Sequence, residues 1–214
     1  MSMSAVRLWI TIARGWRLPA SLTWLAVLLV VVQLGPDTVG LPEARPLVDI
    51  VAPTSTLTAM VLAVISLQLL HEPAPQLLAT APLSRRLANP LRVLVFATVG
   101  ALGMVVLSTS TPITIFQTVA TLTGEGLIGA ALLGFRLSWL IPTMHALASL
   151  TLGAVNRRTL APWAWVADTT ADAITVTGAC VLLVVGVLMW TRKLAGPPRW
   201  GPRMSSRLGT RVKA

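Results

Sequence analysis

The chain has 214 residues, of which 55% are hydrophobic and only 11% charged, far below the ~25% charge of ordinary soluble domains. With a mean hydropathy of +0.78, it has too little polar surface to cover a water-soluble globule. Composition therefore gives an all-α, polytopic membrane protein with one domain and almost no extramembrane mass. Lys and Arg number 17 against 7 Asp and Glu. They stand in short blocks beside apolar runs, not in an aromatic-interleaved surface, which argues against nucleic acid and for cytoplasmic edges and anionic lipids.

The first segment, MSMSAVRLWITIARGWR, sets Val6, Leu8, Trp9, Ile12 and Ala13 largely on one side of a helix. Arg7, Arg14 and Arg17 can reach headgroups, so residues 1–17 are expected to form an interfacial amphipathic helix anchored by Trp9 and Trp16. The apolar run that follows begins after Arg17 and lacks a small-residue cleavage site, which predicts that it is retained as a span.

Six spans are expected in residues 18–191: Leu18–Leu34, Val48–Leu70, Leu91–Thr109, Ile113–Phe135, Trp139–Val155 and Ile174–Thr191. Pro19 sits in the first turn of span one, where proline is tolerated, and Pro142 is expected to kink span five near its start. Residues 192–214 form a basic tail with seven Lys and Arg, whose prolines and glycines predict disorder on the cytoplasmic side. Six spans bring both termini to one face. Arg7, Arg14, Arg17, Arg85, Arg86, Arg92, Arg136 and the tail share that face, against Arg45, Arg157 and Arg158 opposite. The excess predicts an N-in, C-in topology in the cell membrane. Arg157 and Arg158 fit the outer surface if residues 159–173 re-enter the membrane.

Between spans two and three lies HEPAPQLLATAPLSRRLANP, too polar to span and too apolar for a plain linker. Pro75 can open a short helix with Leu77 and Leu78 on its apolar face, Pro82 breaks it, and LSRRLA starts a second turn before Pro90. Glu72 at the start and Arg85 and Arg86 at the end mark the segment with charge. Two readings stand: a helical bump that docks into a groove of a soluble partner, or an interfacial connector.

Glu125 is the most costly residue, near the middle of span four in TGEGLIGAALLG. A charge there costs several kcal/mol unless paired, hydrated or protonated, and its flanking glycines admit close helix approach. His145 in span five falls at a similar depth, so a Glu125–His145 pair is open to the chain, either as a structural interhelical bond or as the polar lining of a transport path or proton-sensitive latch. PWAWVAD puts Trp163 and Trp165 near Asp168 and Asp172, a pattern of an interface belt or of a ligand lid. No phosphate-binding loop, spaced His/Cys metal cluster or H-E-x-x-H motif occurs, and the lone Cys180 supports no internal disulfide or zinc site.

The order of parts resembles the permease subunits of type 2 ATP-binding-cassette exporters, in the Ala/Leu/Val/Arg-rich style of small actinobacterial members. The resemblance covers most of the chain and is architectural: an interfacial first helix, six spans, a cytosolic helical segment between spans two and three and an interfacial one between spans five and six. It implies that Met1–Arg17 is the connecting helix and Thr159–Ala173 the re-entrant extracellular element. It also implies that His71–Pro90 is the coupling segment, with Glu72, Leu77, Leu78, Arg85 and Arg86 meeting the ATPase. No cofactor is then expected in this chain; ATP and Mg belong to a separate nucleotide-binding ATPase subunit. The chain would dimerise with itself or a related permease and move an amphipathic or apolar substrate such as a drug, peptide, polyketide or lipid. It would not itself be an enzyme. Two other classes are carried beside it: a non-catalytic scaffold, accessory or immunity protein that binds a partner, and an intramembrane lipid-modifying enzyme using Glu125 and His145.

Overall fold

A computed structural model of the chain describes residues 18–36, 38–40, 51–70, 83–108, 111–153, 161–167 and 171–195. The expectations placed on the first 17 residues, on Glu72, Leu77 and Leu78, on Asp168 and on the tail after Ala195 lie outside these residues.

Helix α1 (Leu18–Leu34) is apolar throughout and carries Pro19 in its first turn, where the missing N–H has no helical partner to lose. A short antiparallel ribbon follows, β1 (Thr38–Gly40) against β2 (Val51–Pro53), with Val39 opposite Ala52. The ribbon takes up residues that the sequence reading gives to span two from Val48. Helix α2 (Thr54–Leu67) instead begins after Pro53 and ends in a 3₁₀ turn, Gln68–Leu70. The Thr54 hydroxyl donates to the Pro36 carbonyl and ties the start of α2 to the end of α1.

Helix α3 (Leu83–Leu107) departs most from expectation, because it runs through Pro90 without a break. Pro90, the eighth residue of the helix, removes the backbone donor that would reach the Arg86 carbonyl, and close by the Arg92 side chain donates from Nε to the Ala88 carbonyl at 3.2 Å. Arg85 and Arg86 therefore lie on the first turn of a long helix, not on a separate bump closed by Pro90. Helix α4 (Pro112–Leu133) opens on Pro112, and Gly134 ends it with φ of 92°, a backbone setting that side chains resist. A 3₁₀ turn (Phe135–Leu137) leads to α5 (Leu140–Leu152). Pro142 does not kink α5. It lies in the first turn, and the next amide, Thr143 N, bonds normally to the Trp139 carbonyl at 3.1 Å. A second 3₁₀ segment (Pro162–Ala167) precedes α6 (Ala173–Ala195).

Among the described residues, three helices are long and apolar enough to cross a membrane: Leu87–Leu107 of α3, Pro112–Leu133, and Ala173–Lys193 of α6. Leu18–Leu34 and Thr54–Leu70 are shorter apolar helices. Helix α5 has 13 residues, so its ~20 Å of length falls short of the ~30 Å hydrocarbon core without the turns around it.

Helix α4 is the centre of the bundle, with 72% of its apolar stretch buried against 17% for α6. Glycine makes that position possible. A Cβ at Gly124 would stand 2.7 Å from the Leu182 backbone, and one at Gly186 would stand 2.5 Å from the Gly124 carbonyl oxygen. The α4 and α6 backbones meet directly through these positions. Large apolar side chains lie on the outside of the bundle as well as in its core, and several polar ones turn inward. Trp24, Val106 and Ile174 are 61%, 81% and 77% exposed, while Gln117, Thr121 and Glu125 are buried. That distribution suits a bundle bathed in hydrocarbon, with polar groups turned inward.

Candidate functional site

The inward polar groups follow one helix. Gln117, Thr121 and Glu125 are spaced by four on α4, so they form one stripe that winds slowly around the helix. At its upper end the stripe faces the start of α6. Asp172 caps that helix, its Oδ1 accepting from Thr175 N and from the Thr175 hydroxyl, both at 2.7 Å. These bonds, the hydroxyl's first, hold the Asp172 carboxyl below the usual carboxylate range. The same hydroxyl lies 3.3 Å from Gln117 Oε1, which joins the cap to the stripe.

At the lower end the stripe reaches α5. His145 Nδ1 lies 2.5 Å from Glu125 Oε1, and its Nε2 lies 2.9 Å from the Trp163 carbonyl oxygen. A carbonyl only accepts, so Nε2 carries a hydrogen and donates. Nδ1 then meets Glu125 in one of two ways: an imidazolium donates to a carboxylate, or a carboxylic acid donates to a neutral ring. Either way the pair holds one proton between two atoms, able to sit on either.

The Trp163 carbonyl arrives there because the chain between α5 and α6 turns back into the bundle. Ala161 N bonds the Gly153 carbonyl at 2.7 Å, just past the end of α5. A Cβ on Gly153 would meet the Ala164 methyl at 2.4 Å, so the two segments touch only because position 153 is glycine. Val166 is fully buried with Ala63, Leu122 and Ala146. The Trp165 ring lies against Gly178, the sixth residue of α6. This inserted segment thus wedges between α5 and α6 and covers the Glu125–His145 pair.

The structure brings Glu125 and His145 together, as the matched depths allow. It places Trp165 inside the bundle and leaves Trp163 46% exposed, so only the latter keeps the position of an interface belt. Arg85 and Arg86 stand far along the chain from this seam, at the start of α3. Sequence reasoning missed Gln117, Thr121, Ser149 and the Trp163 carbonyl. The first two were accessible as a polar repeat of four leading to Glu125; a backbone carbonyl delivered by a folded-back segment leaves no residue-type signal. Among the described residues no group of three or more His, Cys, Asp or Glu is disposed to hold a metal.

Comparison with known proteins adds no relative: no family model, curated protein or solved structure matches the chain.

Proposed function

We propose that this chain is the membrane-embedded permease subunit of an ATP-binding-cassette exporter, resident in the cell membrane and driven by a separate nucleotide-binding ATPase. Six crossings would be formed by α1, α2 with its 3₁₀ turn, α3, α4, α5 with its flanking turns, and α6, with both termini in the cytoplasm. The observation that carries the reading is the inserted segment Pro162–Ala167. It turns back between the fifth and sixth helices and bonds through the Trp163 carbonyl to His145, in the position of the re-entrant element of the family that the chain's order of parts resembles. The long apolar helices and their exposed apolar faces support membrane residence. The substrate is amphipathic or apolar, since helix faces offer it few polar groups beyond the Glu125 seam.

In this account the ATPase grips the segment between α2 and α3. Arg85→Glu with Arg86→Glu is expected to lower recovery of the ATPase on purification while membrane insertion stays unchanged. Unchanged recovery of the ATPase would remove those residues from the coupling contact.

A further inference from the structure

Hydroxyls on apolar helices are ordinarily satisfied by folding back onto a carbonyl one turn earlier. This chain does so repeatedly: Thr23 to Pro19, Thr58 to Thr54, Thr151 to Leu147, Thr177 to Ala173 and Thr191 to Val187, at 2.7–3.0 Å. Thr121 and Ser149 do not. Both are essentially inaccessible, at 0% and 1% exposure, yet neither hydroxyl bonds to any protein group. Gln117 Nε2, Glu125 Oε2 and Trp165 Nε1 are likewise buried and without a protein partner.

These five atoms belong to the elements along the Glu125–His145 seam. Gln117, Thr121 and Glu125 share the α4 stripe. Ser149 lies one turn from His145 on the antiparallel α5, which sets it level with Thr121 once Glu125 and His145 are bonded. Trp165 belongs to the inserted segment that covers the seam. Each unsatisfied group in a dry interior would be costly, and a bridging water relieves that cost. Successive α4 positions four apart rise by ~6 Å. Two hydrogen bonds of ~2.8 Å through one bridging water span that step.

We propose that this seam is a proton path: waters held by Gln117, Thr121, Ser149 and Trp165 connect Asp172, at the mouth of α6, to the proton shared by Glu125 and His145. Each water accepts a proton on one lone pair and releases another along the chain. The net event is one proton moved between the Asp172 carboxyl and Glu125 Oε2, with no other reactant. Asp172, Glu125 and His145 are the titratable groups on its walls among the described residues. Lys193 lies at the opposite end, bonded to the Ala130 carbonyl at 2.8 Å, and Cys180 lines a groove between α3, α4 and α6 that Gln117 also borders. The path links the pair to the exposed Asp172 carboxyl. It does not rest on an ATPase partner, so its failure and the failure of the permease reading are separable.

The test is hydrogen–deuterium exchange of the shared proton in the full-length protein in lipid nanodiscs. It is read by infrared spectroscopy on the bands that Glu125→Gln removes. Thr121→Val and Ser149→Ala are expected to slow that exchange by about tenfold or more, the factor equivalent to one lost hydrogen bond of ~1.4 kcal/mol. Thr123→Val is the control. Thr123 is equally buried on α4 with an unpartnered hydroxyl, but two residues on from Thr121 it stands on the other side of the helix from Thr121 and away from Ser149, so its exchange stays at the wild-type rate. Wild-type exchange in both Thr121→Val and Ser149→Ala, or equal slowing by Thr123→Val, overturns the proposal. Should Thr121→Val fail to fold, Ser149→Ala against Thr123→Val decides it alone.

Discussion

Replacing Glu125 and His145 singly and together measures whether the buried pair is a coupled unit. Glu125→Leu leaves His145 Nδ1 facing an apolar group, and His145→Leu leaves both Glu125 oxygens without a partner, since Oε2 has none already. Each single change is expected to cost ~1–3 kcal/mol for the orphaned group. Breaking a fully buried ion pair costs ~3–5 kcal/mol, whereas interhelical hydrogen bonds in membranes average ~0.6 and reach ~1.7 kcal/mol. The side chains retain 19% and 11% exposure, so the seam is not dry and the lower range governs. The double substitution removes both orphans and recovers part of the loss, giving a coupling of about 0.6–1.7 kcal/mol. The assay is reversible unfolding of all four proteins in one mixed-detergent system at one pH. Single costs that add to within ~0.5 kcal/mol would refute the coupling.

Two further predictions concern packing and pH. Gly124→Ala forces a methyl to within 2.7 Å of the α6 backbone and is expected to destabilise by ~1–3 kcal/mol through overpacking. Gly134→Ala meets open space but a φ of +92°, so its ~1–3 kcal/mol is backbone strain alone; unfolding midpoints unchanged in both variants would contradict these assignments. Asp172 has its carboxyl held low by the Thr175 bonds. A group depressed in the folded state contributes fully above its unfolded pKa of about 4 and loses that contribution as pH falls through the lower folded value. Amide-exchange protection of Thr175 is therefore expected to fall below about pH 4 in the wild type and to be pH-independent in Asp172→Asn. The same acid loss in both proteins would remove Asp172 as the cap.

Much of the bundle is legible because apolar runs and their breaks are local properties. Leu18, Pro112 and Ala173 begin helices within a residue of where the pattern puts them. Two departures from expectation fall at prolines: the helix break expected at Pro90 and the kink expected at Pro142 are both absent. Pro142 sits in the first turn of α5, where one absent donor is easily borne, whereas Pro90, the eighth residue of α3, is carried inside the helix at the loss of one backbone bond. The Glu125–His145 pair could be foreseen because two expensive groups at equal depth have few alternatives. The cover over it could not. Its contacts depend on Gly153 and Gly178 receiving Ala164 and the Trp165 ring, a tertiary fit that no periodicity encodes.

The most direct test of the central claim is what the protein holds in its own membrane. Purification from native membranes in gentle detergent, followed by mass spectrometry, is expected to recover a soluble nucleotide-binding ATPase in near-equal amount. Recovery of the chain alone, or with only lipid or a single non-ATPase protein, would contradict the permease account.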